Sequence, residues 1–120
     1  MKPILLVSPF LCLLASVVVR NPVLALWPLI ISPYPISRAS SVYRHERIHL
    51  RQQRELLLIG FYVLYLWDWL RGRCMGYSAV TAYLQIRFEQ EASDHSRDRD
   101  YLETRSRFAW RAYDIRGRQP

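Results

Sequence analysis

The sequence predicts a mainly α-helical fold, in which a long helix with a His-Glu-x-x-His motif packs on a second helix rich in acidic residues. An N-terminal membrane helix and a short irregular strand or hairpin are expected to precede this pair. Three observations lead to this prediction. Residues 3–19 are an almost unbroken apolar run, residues 23–36 are apolar but interrupted by prolines, and residues 42–96 contain no proline.

Length and charge limit the class of protein. A chain of 120 residues is expected to form at most one domain, so we divide it into an anchor at residues 1–20 and a domain at residues 21–120. The formal net charge is +7, and Lys2 is the only lysine, so arginine supplies nearly all the positive charge. This balance indicates an anionic partner, either lipid headgroups or nucleic acid. Because no nucleic-acid-binding motif is present, we expect a membrane as partner and no nucleic acid.

The apolar run at residues 3–19 reaches the lower length limit, about 17 residues, for a membrane-spanning helix. A cleaved signal peptide has a similar apolar core, but no Ala-x-Ala cleavage site precedes Arg20. A helix buried inside the protein would need more surrounding chain than this sequence offers. We therefore predict an uncleaved anchor, with the cleaved signal as second reading and the buried helix as third.

Residues 23–36 are predicted to be extended. Prolines argue against a second spanning helix and restrict a strand to a sheet edge or an irregular form. Such an edge strand could pair with the backbone of an extended substrate, or it could simply pack under the next helix. Ser40 or Ser41 is expected to cap that helix. The prolines in and beside the segment are Pro22, Pro28, Pro33 and Pro35.

One long helix is predicted from residue 42 to residue 70, with the motif near its start. His45 and His49 are four residues apart, so they lie on one face of the helix, one turn from each other. Two imidazoles in this arrangement can bind one zinc ion, and the neighbouring Glu46 can deprotonate a water that the metal activates. The alternative is a helix whose histidines lie at the surface or in the core without a metal.

The second half of this helix differs from the first. Residues 56–67 are apolar on every face, which indicates burial in protein or lipid, although the stretch is too short to span a bilayer. In the first half, Gln52 and Gln53 follow His49 by three and four positions. Either amide could support a metal-binding histidine by a hydrogen bond, or could be solvated.

Another helix, predicted over residues 77–96, offers a third metal ligand. A carboxylate from a separate element would complete three protein ligands and leave a fourth position open. Glu89 and Glu91 both qualify, but they are two residues apart and point in different directions. The small residue Ala92 shares the face of Glu89 and allows close helix approach, which favours Glu89 over the alternative, Glu91. His95 is either a donor to the transition state or a solvated side chain.

The tail at residues 97–120 mixes arginine with acidic residues around several aromatic side chains. Phe108, Ala109, Ala112 and Tyr113 recur at helical spacing, which predicts a short amphipathic helix. This helix could lie on anionic lipid, or it could pack on the core of the domain.

The order of these motifs resembles the gluzincin clan of zinc metallopeptidases. In that clan His-Glu-x-x-His is followed on a second helix by Glu-x-x-Ala, which matches Glu-Gln-Glu-Ala at residues 89–92. The resemblance implies that His45, His49 and Glu89 bind zinc and that Glu46 is the general base. The membrane-bound branch of the clan usually has aspartate after the alanine, where this chain has serine.

Residues 21–113 also resemble a family of small bacterial proteins. The shared features are a Trp-Pro or Phe-Pro strand, His-Glu-Arg-Ile-His-Leu-Arg-Gln-Gln, an apolar helix, Phe-Glu-x-Glu-Ala and a Tyr-Leu-x-x-Arg tail. They correspond here to residues 27–28, 45–53, 56–67, 88–92 and 101–105. This resemblance implies a minimal zinc-binding helix pair and brings no substrate with it.

Together these features predict a membrane-associated zinc metallopeptidase that cleaves a peptide or protein substrate. Loops rich in arginine stay on the cytoplasmic side, so the domain is expected to face the cytoplasm from the bacterial inner membrane. Zinc would activate a water and Glu46 would take its proton. The alternative is a catalytically inactive protein that binds zinc or lies on a membrane surface.

Overall fold

The computed structural model describes residues 3–7 and 23–116. Within these ranges the fold is mainly helical, as predicted, and the strand or hairpin expected from the sequence is part of a small three-stranded sheet. The strands are β1 (Ile4–Val7), β2 (Leu24–Leu26) and β3 (Leu29–Ser32), the α-helices are α1 (Ser41–Glu55), α2 (Ile59–Cys74), α3 (Ala79–Leu84), α4 (Arg87–His95) and α5 (Tyr101–Thr104), and a 3-10 helix covers Ala109–Ala112.

The sheet has the order β1-β3-β2. Strand β1 pairs with β3 in parallel, with Ile4 opposite Leu29, and β2 pairs with β3 as an antiparallel hairpin. The hairpin turns at the cis peptide Trp27-Pro28. The predicted edge strand is therefore β2, whereas β3 lies in the centre. Strand β3 contains no proline, so both of its edges can donate and accept hydrogen bonds.

The N-terminal membrane helix is a prediction that the structure corrects. Ile4–Val7 is a strand of the sheet, because a run of branched apolar residues suits a strand as well as a helix. Across residues 3–7 and 23–116, no helix combines the length and apolar character that a membrane crossing requires. The transmembrane helix and the inner-membrane location with a cytoplasmic domain are therefore wrong as predicted. The rest of the apolar run, residues 8–22, lies outside the described residues.

The single helix predicted over residues 42–70 is in fact two helices. Helix α1 begins after Ser40, whose hydroxyl accepts a hydrogen bond from the Tyr43 backbone N–H at 3.2 Å, as expected of a cap. It ends at Glu55, and α2 begins at Ile59. Between them Leu57 and Leu58 have φ angles of 56° and 64°, a left-handed conformation that costs a branched residue about 1–2 kcal/mol. No glycine or proline lies within this break, so the sequence gives no local signal for it.

The helix predicted over residues 77–96 is also divided, into α3 and α4. The first residue of α4, Arg87, is held by Asp68 of α2, which is fully buried. The Asp68 carboxylate accepts hydrogen bonds from the Arg87 backbone N–H at 3.2 Å and from its guanidinium at 2.8 and 2.9 Å. A charge-assisted, bidentate ion pair of this kind fixes the start of α4 against α2.

Helix α1 lies between two parts of the core. One face packs on β2, and another face packs on α4. The sheet side contains Val23, Ala25, Ile30, Tyr43 and Leu50. The other side contains Phe61, Ile86, Phe88 and Trp110. Because Trp110 belongs to the 3-10 helix, the tail packs on the core, the second of the two predicted arrangements.

Arg105 fastens the C-terminal region to both α1 and α4. Its guanidinium donates to Glu55 of α1 at 2.9 Å and to Glu91 of α4. The Arg105 side chain is only 1% exposed, Glu55 is 7% exposed and Glu91 is fully buried. Glu55 also accepts the backbone N–H of Phe108 at 2.7 Å. Two buried carboxylates therefore share one buried cation.

Replacing this cation should destabilise the fold strongly. Arg105→Met keeps much of the side-chain volume but leaves two buried carboxylates uncompensated, so we expect a loss of about 3–5 kcal/mol in the free energy of unfolding. Urea denaturation measures the loss. Arg111→Met, at an exposed position, is the matched control and should change stability by less than about 0.5 kcal/mol. Equal stability of the two variants would contradict the role given to Arg105.

Candidate metal centre

The two motif histidines face each other on α1. Their side chains are one turn apart, with ring centroids at 4.8 Å and planes nearly perpendicular. The Nε2 atoms of His45 and His49 are 3.1 Å from each other. The His49 side chain is 5% exposed and that of His45 is 17% exposed, so the pair opens to solvent on the His45 side.

Glu89 of α4 completes the group, as the sequence predicted. Its Oε1 atom lies 3.1 Å from Nε2 of His45 and 3.1 Å from Nε2 of His49. Ala92 is fully buried beside it and lets α4 approach α1 closely. Tetrahedral ligands at 2.0–2.1 Å from a metal are about 3.4 Å apart. The three donor atoms fit one metal ion with little adjustment. His45, His49 and Glu89 together are therefore a group that could hold a metal ion.

Two tyrosines hold the Glu89 carboxylate from the other side, and the sequence analysis did not assign them this role. The Tyr65 hydroxyl of α2 donates to Oε2 of Glu89 at 2.8 Å, and the Tyr83 hydroxyl of α3 donates to Oε1 at 3.3 Å. Burial, and then the charge of Glu89, raises the pKa of Tyr65 well above its ordinary value, so the hydroxyl stays a donor. Their contact with Glu89 depends on the breaks that divide the two predicted helices, and the sequence did not predict these breaks.

Gln52 fixes the proton position on His49. The Gln52 amide nitrogen donates to the Phe88 carbonyl at 3.2 Å and to the Glu91 carboxylate at 3.0 Å. Its Oε1 atom therefore faces Nδ1 of His49, at 2.8 Å, and must accept a proton from it. A neutral His49 then has its lone pair on Nε2, the atom beside His45 and Glu89. Of the two roles considered for Gln52, the structure shows the supporting one.

Glu91, the alternative ligand, points away from the histidines. Its carboxylate accepts hydrogen bonds from Gln52, from the Tyr101 hydroxyl at 2.7 Å and from Arg105. Although burial would raise the pKa of Glu91, these donors, Arg105 first among them, lower it. Through Gln52, Glu91 places a carboxylate one hydrogen-bonded side chain away from His49.

His95 and the remaining aromatic residues form a separate contact. The His95 ring stacks on Tyr101 at a centroid distance of 3.8 Å, and its Nε2 atom is hydrogen-bonded to the Tyr113 hydroxyl at 3.2 Å. His95 is therefore partly buried in an aromatic contact and is not joined to the candidate metal ligands.

Glu46 is 2% exposed and lies near the metal-binding group. The negative charge of Glu46 contributes to raising the pKa values of His49, Tyr62 and Tyr65, which places its carboxylate within electrostatic reach of all three side chains. Helix α1 thus presents Glu46 toward α2. Its role as general base remains a prediction.

The electrostatics of the group favour a bound cation. Burial would lower the pKa of His49, but the Glu89 charge and hydrogen bond together raise it to about 9. The same contacts, opposing the effect of burial, lower the pKa of Glu89 well below its ordinary value. Burial lowers the pKa of His45, which keeps that ring neutral. In the absence of metal, the extra proton that His49 retains therefore lies among the same three side chains that would hold a cation.

The outer edge of β2 is already bonded to helices. The Ala25 carbonyl accepts hydrogen bonds from the Gln53 amide at 2.9 Å and from the Tyr62 hydroxyl at 3.1 Å, and the Trp27 N–H donates to Gln53 at 2.7 Å. Of the two predicted roles for this strand, the structure shows packing against the helix. Gln53, which is 1% exposed, is thus a buried link between sheet and helix.

No protein-family model, curated protein or solved structure matches this chain. The likeness to gluzincins therefore remains a prediction that depends on the motifs and on the arrangement of His45, His49 and Glu89.

The adjacent buried glutamines provide a matched pair of variants. Gln52→Leu should weaken binding of a divalent transition metal about 10- to 100-fold, because His49 loses the partner that fixes its tautomer. Gln53→Leu should leave metal affinity unchanged, because Gln53 bonds only the hairpin. Both variants should lose about 1–3 kcal/mol of stability for each buried polar group left unpaired. Calorimetric titration of the folded proteins measures the affinity, and equal affinities would contradict the role of Gln52.

Stability of the metal-free protein should fall as the pH rises. The pKa of folded His49, about 9, lies above its ordinary value of 6.5, so the folded state retains a proton that the unfolded state has released. This stabilisation is complete below pH 6.5 and is lost as the pH rises through about 9. Denaturant unfolding in the presence of a chelator measures it. His49→Gln should remove the dependence, and a wild-type profile that is flat over this interval would refute the expectation.

Proposed function

We propose that this protein is a zinc-dependent metallopeptidase. One observation carries the proposal: the Nε2 atoms of His45 and His49 and the Oε1 atom of Glu89 form a triangle with all three sides at 3.1 Å. Two helices that are distant in sequence supply these atoms. The sequence motif and the spatial arrangement therefore agree on the same residues.

The donor set favours zinc among the common divalent metals. Two imidazole nitrogens with one carboxylate oxygen suit zinc better than magnesium or calcium, which prefer oxygen alone. Three protein ligands leave a fourth position for water or substrate, the arrangement typical of catalytic rather than structural zinc. The 17% exposure of the His45 side chain gives that position a route to solvent.

The chain's own residues would share the chemistry as follows. A bound zinc ion supplies a Lewis acid that lowers the pKa of water to about 7 and polarises a peptide carbonyl. Glu46 takes a proton from the attacking water and later gives it to the leaving amine, so that the carboxylate is regenerated. Gln52 keeps the His49 lone pair on Nε2. Tyr65 and Tyr83 hold the Glu89 carboxylate in place.

A second candidate function is a zinc site without hydrolysis, and the enclosure of the site favours it. Glu46 is 2% exposed, and the side chains of His49 and Glu89 are 5% and 6% exposed. A peptide would need to approach from the His45 side. In this alternative the metal fastens α1 to α4 and adds its binding free energy to the stability of a small domain.

Two glutamate variants separate these functions. Glu46→Gln is nearly isosteric and removes no ligand, so it should retain about one zinc per chain, as in the wild type, and lose about 100- to 10,000-fold in turnover. Glu89→Gln should lose both zinc affinity and turnover, because it removes a charged ligand. Elemental analysis measures the zinc, and cleavage of a peptide library measures the turnover.

The comparison has clear opposing outcomes. Zinc in the wild type with no cleavage of any peptide supports the non-catalytic site. Cleavage by Glu46→Gln at the wild-type rate excludes Glu46 as the base. Absence of zinc from the wild type, or undiminished zinc in His49→Ala, contradicts both functions.

A further inference from the structure

The face of α1 that points away from the metal-binding group carries a row of arginines. Arg47, Arg51 and Arg54 follow one another at intervals of four and three residues, so they lie along one side of the helix over about 10 Å. His45 and His49 lie on the other side. This row has no part in the proposed zinc chemistry.

These three guanidinium groups are not neutralised within the part of the chain that the structure describes. Other arginines are engaged: Arg87 pairs with Asp68, Arg105 with Glu55 and Glu91. Across residues 3–7 and 23–116, the side chains of Arg47, Arg51 and Arg54 make no hydrogen bond or ion pair. Unpaired guanidinium groups that are partly or fully exposed remain available to an anion.

The row borders a groove with apolar walls. A cavity of about 50 Å³ lies between α1, the hairpin turn and the start of α5, and all three arginines line it. Its apolar surface is formed by Pro3, Trp27, Pro28, Leu50 and Leu102. A second, smaller cavity shares Arg47 and Leu102 with the first and is also lined by Asp98 and Arg99. The groove therefore combines positive charge along one side with a shallow apolar pocket.

This combination selects among anions. The three arginines arise from positions spread over about 10 Å of helix, which favours a ligand with several anionic groups over a single phosphate ion. A cavity of about 50 Å³ admits a few water molecules or the end of an aliphatic side chain, and is too small for a nucleobase. An extended segment in the polyproline-II conformation has three residues per turn and advances about 3.1 Å per residue, so carboxylates three residues apart share one side and match the length of the row. We propose that this groove binds an extended acidic polypeptide segment, with one apolar side chain seated between Trp27 and Leu50.

The test uses the full-length protein and a fluorescently labelled, glutamate-rich peptide that contains leucine. Fluorescence anisotropy should show binding that weakens with salt, and the glutamine counterpart of the peptide should bind at least about tenfold more weakly. The triple variant Arg47→Gln, Arg51→Gln, Arg54→Gln should lose at least about tenfold in affinity for the acidic peptide, since each guanidinium is a charge-assisted donor.

A control variant with the same net charge isolates the groove. Arg71→Gln, Arg107→Gln and Arg111→Gln, combined, remove three exposed arginines outside it and should change affinity by less than about twofold. If the groove triple variant fails to fold, Arg51→Gln alone should lose about threefold. Equal loss in the control, equal binding of the glutamine peptide, or unchanged binding by the groove variant overturns the proposal. So does displacement of the peptide by inorganic phosphate or single-stranded oligonucleotide at lower concentrations than unlabelled peptide requires.

Discussion

A continuous network of buried hydrogen bonds and ion pairs governs how this small domain packs. It runs from His49 through Gln52 to Glu91, and from there through Arg105 to Glu55. Buried polar groups need partners, and a partly satisfied network costs more than an apolar core. Helix α1, helix α4 and the C-terminal region can therefore meet in one register only. The candidate metal ligands lie at the His49 end of this series of hydrogen bonds, so the packing that stabilises the fold also positions them.

Local sequence predicted the parts of the structure that depend on local geometry. His45 and His49 share a face because helical periodicity dictates it, and Ala92 beside Glu89 correctly indicated the acidic side chain that approaches them. Long-range packing determined what the sequence missed. The reversal at Leu57 and Leu58 contains no residue that favours positive φ, and the apolar run that includes β1 has no strand-specific pattern. The contact of Tyr65 with Glu89 follows only after that reversal places α2.

The arginines show a limit of arguments from composition. Net charge alone indicated a lipid or nucleic-acid partner, but it treats every arginine alike. In the fold, Arg87 and Arg105 neutralise buried carboxylates and contribute to internal structure. Among residues 3–7 and 23–116, the arginines on the outer face of α1 have no such partner. Only the folded arrangement separates charge that stabilises the protein from charge that faces outward.

The bonding of the hairpin edge has a consequence for association between molecules. An exposed edge strand offers unpaired backbone groups to any other extended chain, and this is a common route to aggregation. Here Gln53 and Tyr62 occupy the Ala25 carbonyl, and Gln53 also occupies the Trp27 N–H. Side chains of two helices thus take two of the backbone hydrogen-bonding groups that a fourth strand would need. On this side the sheet is closed to further growth, and the protein is protected there against edge-to-edge polymerisation.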